Sequence, residues 1–253
     1  MRFVSKVVIV TGSSDGIGRS AAVLFAREGA HVVLNGRGQE RLEAAQTAVA
    51  EVGTPPLVVA GDVSRAVVVQ RLIDETLQTF GRIDVLVNNA GGGTAARFLD
   101  EVTEEDWSRV IKSNLKSAFL CCQAVTPTMK RQRAGRIVNV SSVAGRSVSR
   151  LSGPHYSSAK AGLLGLTRHL AHDLGPYGIT VNAVAPGPTM VDRVVRKWAS
   201  LSEADRARML ANIPLGRLAH PTEVATVIAF LASDDAGYVN GVTVDVNGGS
   251  FMA

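Results

Sequence analysis

Short runs of β-branched and aliphatic residues recur along the chain, and between them apolar positions repeat with a helical period. The runs predict strands at 7–10, 31–34, 57–60, 83–87, 136–140, 179–184 and 242–246. The periodic stretches predict helices over about 16–29, 39–52, 64–80, 104–129, 156–174 and 224–231. The strands mostly lack alternation of apolar with polar residues. Strands apolar on both faces and separated by helices form a parallel sheet covered on both sides. No Pro/Gly-rich linker, charge break or short-period repeat divides the chain. The expectation is an α/β fold, one doubly wound domain over 1–253 with a seven-stranded parallel sheet. The stretch 188–214 fits this pattern least, since it carries Trp198, Met209 and many charges. It reads as a surface helical insert, or as a lid over a site at the strand C-termini.

Composition narrows the function classes. The chain has 253 residues, of which 46% are hydrophobic, enough for a large core and too many for disorder. No apolar run reaches the length of a membrane span. The first strand follows the N-terminus without a signal-peptide pattern, so a cytoplasmic location is expected. The net charge is +5, with basic clusters at 130–133 and 193–197. These read as solvated surface, or as a face for a phosphorylated cofactor or acidic partner. Aromatic–basic interleaving is missing, which argues against nucleic acid. Cys121 and Cys122 are adjacent in a helical pattern and read as packing residues. His169 and His172 stand beside Asp173 without a third ligand at metal spacing, so no metal is expected. His155 precedes Tyr156 and reads as a packing residue or a substrate contact.

The candidate chemistry starts with Tyr156-Ser157-Ser158-Ala159-Lys160. On a helix this spacing puts a phenol and an ammonium one turn apart on one face. A neighbouring positive charge favours the phenolate and lowers its pKa, which suits proton transfer to or from an alcohol oxygen. Between the first strand and first helix lies Thr11-Gly12-Ser13-Ser14-Asp15-Gly16-Ile17-Gly18, with the spacing G-x-x-x-G-x-G. Such a turn lets the backbone approach a pyrophosphate at a helix N-terminus, as in Rossmann dinucleotide sites. The second strand ends in Asn35-Gly36-Arg37, with no acid to hold a ribose diol. Arg37 suits a 2′-phosphate and favours NADP(H), with NAD(H) the alternative; Asp15 pulls toward the latter.

These motifs, with Gly61-Asp62-Val63, Asn88-Asn89-Ala90-Gly91, Asn114, Ser141-Ser142 and Pro186-Gly187, occur in the order and at the separations of the short-chain dehydrogenase/reductases. The chain resembles that family from Lys6 to Gly249. The resemblance implies that Tyr156 is the acid/base and that Lys160 lowers its pKa and holds the nicotinamide ribose. Ser142 would hydrogen-bond the substrate oxygen, and Asn114 would hold a water linking Lys160 to solvent. Gly12, Ser14, Asp15, Gly16, Ile17, Gly18 and Arg37 would bind cofactor at the phosphate end. Asp62 and Val63 would meet the adenine, and Asn89, Ala90 and Gly91 would line the cofactor. Pro186, Gly187 and Thr189 would shape the nicotinamide pocket. Two departures stand out. The interval from Ser142 to Tyr156 is about one residue longer than in many members. The threonine after Pro186-Gly187 also comes early, at Thr189.

Within the family the chain looks most like the 3-oxoacyl-carrier-protein reductases. That implies an NADP(H)-dependent oxidoreductase interconverting a ketone and a secondary alcohol, with an acyl thioester on a carrier protein or CoA as a candidate substrate. Arg131 and Arg133 suit an acidic carrier protein, whereas Tyr177 stands where that group often has a second basic residue. The alternatives are an NAD(H)-dependent dehydrogenase of a sugar, steroid or small alcohol, and a catalytically silent dinucleotide-binding protein. An epimerase or dehydratase of the extended branch would need a longer chain. A homotetramer is implied, with the segment 240–249 packing between subunits.

Overall fold

The computed structural model describes residues 1–92, 98–148 and 152–252. Seven parallel strands form one sheet in the order β3-β2-β1-β4-β5-β6-β7. They are β1 Val7–Val10, β2 His31–Gly36, β3 Leu57–Ala60, β4 Val85–Asn88, β5 Gly135–Val140, β6 Ile179–Pro186 and β7 Thr243–Val246. The strand expected from Ile83 begins two residues later. Ile83 and Asp84 instead form its approach, where Asp84 accepts the Val7 N–H at 2.9 Å and pairs with Arg82 at 2.6 Å.

The missing polar alternation has a direct cause in the inner strands, which are buried on both faces, while the edge strands β3 and β7 are only partly buried. Val8 and Val10 join Phe25, Leu34 and Ile228 on one face. Val7 and Ile9 join Leu72, Leu86, Met129 and Ile179 on the other. The first face is covered by α1 Gly16–Arg27, α2 Gln39–Ala50 and α9 Pro221–Ala232. The second is covered by α3 Ala66–Phe80, α5 Ser117–Gln132 and α6 Pro154–Leu174. Cys121 and Cys122 are free thiols in the second layer. Burial raises the pKa of both, Cys122 to about 12, so neither is a nucleophile.

The long helix expected over 104–129 is present in three parts. α4 Glu104–Ile111 passes into a π-helical turn at Lys112–Lys116 and continues as α5. The insert expected at 188–214 contains α7 Asp192–Ser200 and α8 Glu203–Leu210. Its two ends are pinned together: Ala219 N–H donates to Pro188 at 3.0 Å and Met190 N–H to Ala219 at 2.9 Å. Because β1 pairs with β2 on one side and β4 on the other, the sheet has its switch point beside β1. The crevice above that point is where doubly wound sheets bind ligands.

Candidate active site

A cleft of about 1070 Å³ runs along the C-terminal ends of the strands. At one end it is lined by Gly12, Ser14, Asp15, Gly16 and Ile17 from the turn before α1. Asp15 stands at the helix N-cap but makes no side-chain cap bond. Its carboxylate is turned to Arg41, with Nη1 at 3.2 Å. No side chain of the turn therefore covers the first-turn amides, and the positive end of the helix faces the cleft. Gly18 does not line the cleft. A Cβ there would lie 2.4 Å from both Asn89 Nδ2 and the Gly12 carbonyl, so its role is close packing of the turn.

The turn is tied to the strand ends by side chains. Asn89 Nδ2 donates to the Thr11 and Gly12 carbonyls at 3.0 and 2.8 Å. Thr11 Oγ1 accepts the Asn89 and Ala90 N–H groups, both at 3.1 Å. Asn35 Nδ2 bonds the Val59 carbonyl at 2.9 Å. Arg37 and Arg41 are exposed and line the same end of the cleft. Arg41 was not anticipated from sequence, where an arginine on an exposed helix face reads as solvated. Asp62 and Val63 line the neighbouring wall, and Asp62 Oδ1 accepts the Ser64 N–H at 2.9 Å.

Further along, the cleft is lined by Ala90, Gly91, Ser142, Tyr156, Lys160, Pro186, Gly187 and Thr189. The helix carrying Tyr156 and Lys160 is docked on β5 by polar bonds in the core. Asn139 Nδ2 donates to Thr167 Oγ1 at 2.9 Å, and Asn139 Oδ1 accepts from Asn88 Nδ2 at 2.8 Å. Ser141 Oγ donates to the Lys160 carbonyl at 2.9 Å. The Lys160 ammonium is buried, donates to the Val140 carbonyl at 2.8 Å, and lies 5.7 Å from the centre of the Tyr156 ring. Burial lowers its pKa to about 8. Ser142 caps the turn Val143–Gly145, its Oγ accepting the Ala144 N–H at 3.2 Å.

Asn114 sits in the π turn, buried behind the cleft wall rather than on it. Its Oδ1 accepts the Gly92 N–H at 2.9 Å, and its Nδ2 donates to Val110 at 3.0 Å and Gly92 at 3.3 Å. A π turn is common at functional sites. Here it aims this amide at the Gly91–Gly92 backbone. Thr189 Oγ1 donates to the Gly187 carbonyl at 3.0 Å.

The insert closes one side of the cleft through Val191, Val194, Met209 and Ile213. Val191 packs directly on Gly16 of the glycine turn. In the basic cluster at 193–197, the side chains of Arg193 and Lys197 lie outside what is described. His155 is buried and does not line the cleft. Asp173 takes both His169, at 3.2 Å, and His172, at 3.4 Å. Among the described residues no cluster suits a metal ion, and no helix is long and apolar enough to cross a membrane.

A family model described as Enoyl-(Acyl carrier protein) reductase matches residues 12–250. The 3-oxoacyl-(acyl-carrier-protein) reductase FabG of Staphylococcus aureus is 43% identical over 98% of this chain and 99% of its own length. BbsD of Thauera aromatica, a subunit of a hydroxy(phenyl)methylsuccinyl-CoA dehydrogenase, is 40% identical over 97% of this chain and 96% of its own. The crystal structure of levodione reductase superposes with a TM-score of 0.93 at 36% identity, covering 98% of both chains.

Proposed function

The chain belongs to the short-chain dehydrogenase/reductase family, and from that premise we propose that it interconverts a ketone and a secondary alcohol with NADP(H). One observation carries this reading. Ser142, Tyr156 and Lys160 share a cleft whose other end holds an uncovered helix N-terminus and two arginines.

The cofactor supplies hydride chemistry when bound, and the protein supplies position and electrostatics. The glycine turn and α1 amides hold the pyrophosphate. Arg37 and Arg41 hold the 2′-phosphate, with Asp15 partly offset by its pair to Arg41. Asp62 and Val63 meet the adenine, and Pro186 and Gly187 shape the nicotinamide end. Thr189 donates its own proton to Gly187 and keeps lone pairs for a carboxamide N–H.

In reduction, the Tyr156 phenol donates a proton to the carbonyl oxygen. The Lys160 charge beside it favours the phenolate left behind. Ser142 donates to the oxygen as negative charge develops, a preplaced donor of the oxyanion-hole kind. Asn114 Oδ1 uses one lone pair on Gly92 and keeps the other for a water linking Lys160 to solvent. The segment 188–214 acts as a lid.

The thioester reading draws support from the similarity to FabG and BbsD. A carrier protein has less to hold here. Arg133 donates to the Pro176 carbonyl, Arg131 to Thr128, and Lys130 stacks on Tyr177 at 4.2 Å. A thioester of CoA is the better candidate. NAD(H) use by a sugar, steroid or alcohol dehydrogenase is favoured by one observation, the acid Asp15 at the phosphate end. Partly exposed Trp107 and Phe119, with the edge strand β7, support a homotetramer, and we place the protein in the cytoplasm.

Initial rates at the reduced-nicotinamide absorbance band test the reading. NADPH and NADH are run in parallel against 3-oxoacyl thioesters, simple ketones and keto sugars. NADPH oxidation with a thioester is the expected result. Activity with NADH alone would overturn the cofactor, and activity with sugars alone would overturn the substrate. Cofactor binding without turnover would make the protein a silent binder.

A further inference from the structure

Arg146 directly follows the turn Val143–Gly145 that Ser142 caps. Its Nη2 donates to Asp245 Oδ2 at 3.1 Å, between side chains only 26% and 23% exposed. Its guanidinium also lies 5.2 Å over the Phe251 ring, within cation–π range. Asp245 is on the edge strand β7. Phe251 ends a tight turn shaped by Asn247, which accepts the Gly249 N–H at 2.9 Å and donates to the Phe251 carbonyl at 3.0 Å. Ser250, in that turn, lines the cleft. One guanidinium thus joins two walls of the cleft that are about a hundred residues apart in sequence.

The turn it anchors is wedged from the other side. A Cβ on Gly145 would lie 2.7 Å from the Lys160 carbonyl group, so the turn lies flush on α6. The direction of the Ser142 hydroxyl depends on the shape of this turn, because Oγ accepts the Ala144 N–H within it. Among the described residues one hydrogen bond links the two side chains. Arg146 Nε and Asp245 Oδ1 are buried without hydrogen-bond partners among the described residues. Loss of the single Nη2–Oδ2 contact therefore leaves a partly buried charge unpaired, which is far costlier than loss of an exposed pair.

We propose that Arg146 is a positioning residue, which through Asp245 and Phe251 holds the Ser142 turn in the orientation that aims the Ser142 hydroxyl beside Tyr156. This rests on the catalytic reading of Ser142. It adds a dependence of the active site on the sheet edge and the C-terminal turn.

The test uses the full chain with Arg146→Met, Asp245→Asn and Arg146→Lys, each alone and combined with Ser142→Ala. Steady-state reduction is measured with the carbonyl compound of the panel that is turned over fastest. Amide hydrogen exchange of the 142–147 turn is measured without cofactor. Arg146→Met is expected to lower kcat by about tenfold to a hundredfold, as misplacement of a catalytic group does. The dissociation constant for NADPH should stay within about twofold and turn exchange should accelerate, whereas Arg146→Lys, which keeps the charge but not the planar group over Phe251, should restore only part of kcat and of turn protection. In the Ser142→Ala background Arg146→Met should cost nothing further, since groups acting as a unit are non-additive. An unchanged kcat, or an equal loss in that background, overturns the proposal. Should Arg146→Met fail to melt cooperatively, Asp245→Asn, which keeps side-chain volume, carries the same reading. Full turnover in Ser142→Ala alone would instead refute the role of Ser142, while turn exchange still reports the clamp.

Discussion

The Lys160 ammonium lies 5.7 Å from the centre of the Tyr156 ring while donating to the Val140 carbonyl at 2.8 Å. The lysine is therefore not a snorkelling surface residue. It is buried, fixed to the end of β5, and held one helical turn from the phenol. A charge kept in that position at low local dielectric acts on the phenol more strongly than one in water.

Replacing Tyr156 with Phe removes the proton donor and leaves the cleft shape nearly intact. Turnover should fall by about a hundredfold or more, the range of a lost general acid. The dissociation constant for NADPH, read from nucleotide fluorescence, should change little. Retained turnover would refute the assigned role.

Burial lowers the Lys160 pKa from its ordinary 10.5 to about 8. The charged form is complete well below 8 and is lost as pH rises through that value. kcat/KM for carbonyl reduction should therefore fall on the alkaline side near pH 8. Stability moves the other way for this group. Between about 8 and 10.5 the unfolded chain keeps a proton that the folded chain has lost, so its contribution rises with pH. A rate profile flat to pH 10 would remove Lys160 from the proton chemistry.

Arg37 and Arg41 face the same end of the cleft, and Arg41 is paired with Asp15. Arg37→Ala should weaken NADPH binding about tenfold to a hundredfold, the range for a lost charged hydrogen bond, and NADH far less. Arg41→Ala should do the same and also release the Asp15 carboxylate beside the phosphate. Titration of both nucleotides against both variants checks this. Equal losses for NADPH and NADH would end the 2′-phosphate argument.

The sheet was legible because its inner strands are buried on both faces, so Val7–Val10 and 85–87 read as unbroken apolar runs. The motif residues were legible because glycine turns and the Tyr156–Lys160 spacing are local. What escaped is non-local or depends on a fine turn of the backbone. The Arg146–Asp245 pair spans two distant elements. Arg41 reaches the site from α2, where it meets the Asp15 carboxylate of the glycine turn. The π turn at 112–116 has no local code, since its residues Lys112 to Lys116 suit an ordinary helix as well.

That π turn gives Asn114 a structural load. Asn114→Leu would leave the buried amide's partners at Val110 and Gly92 unserved. The loss is about 1–2 kcal/mol for hydrogen bonds of this kind. A chain of this length should then melt roughly 2–8 °C lower. An unchanged melting temperature would mean that water replaces these bonds fully.

The insert at 188–214 should report on cofactor occupancy. Its base is pinned where Pro188 and Met190 bond Ala219, and its two helices are joined by Arg206, whose Nε donates to the Trp198 carbonyl at 2.9 Å. The lid reading expects this segment to open as a unit about its base. Val191 rests on Gly16 of the glycine turn, so a nucleotide seated on that turn meets the segment directly. Trypsin has targets there at Arg193, Arg196, Lys197, Arg206 and Arg208. If opening and occupancy exclude each other, saturating NADPH should slow cleavage in proportion to 1 + [NADPH]/Kd, about a hundredfold at a hundred times Kd. Mass spectrometry of the first fragments locates the cuts. Cuts within 193–208 that ignore NADPH while the rest of the chain is protected would show that this segment is no lid.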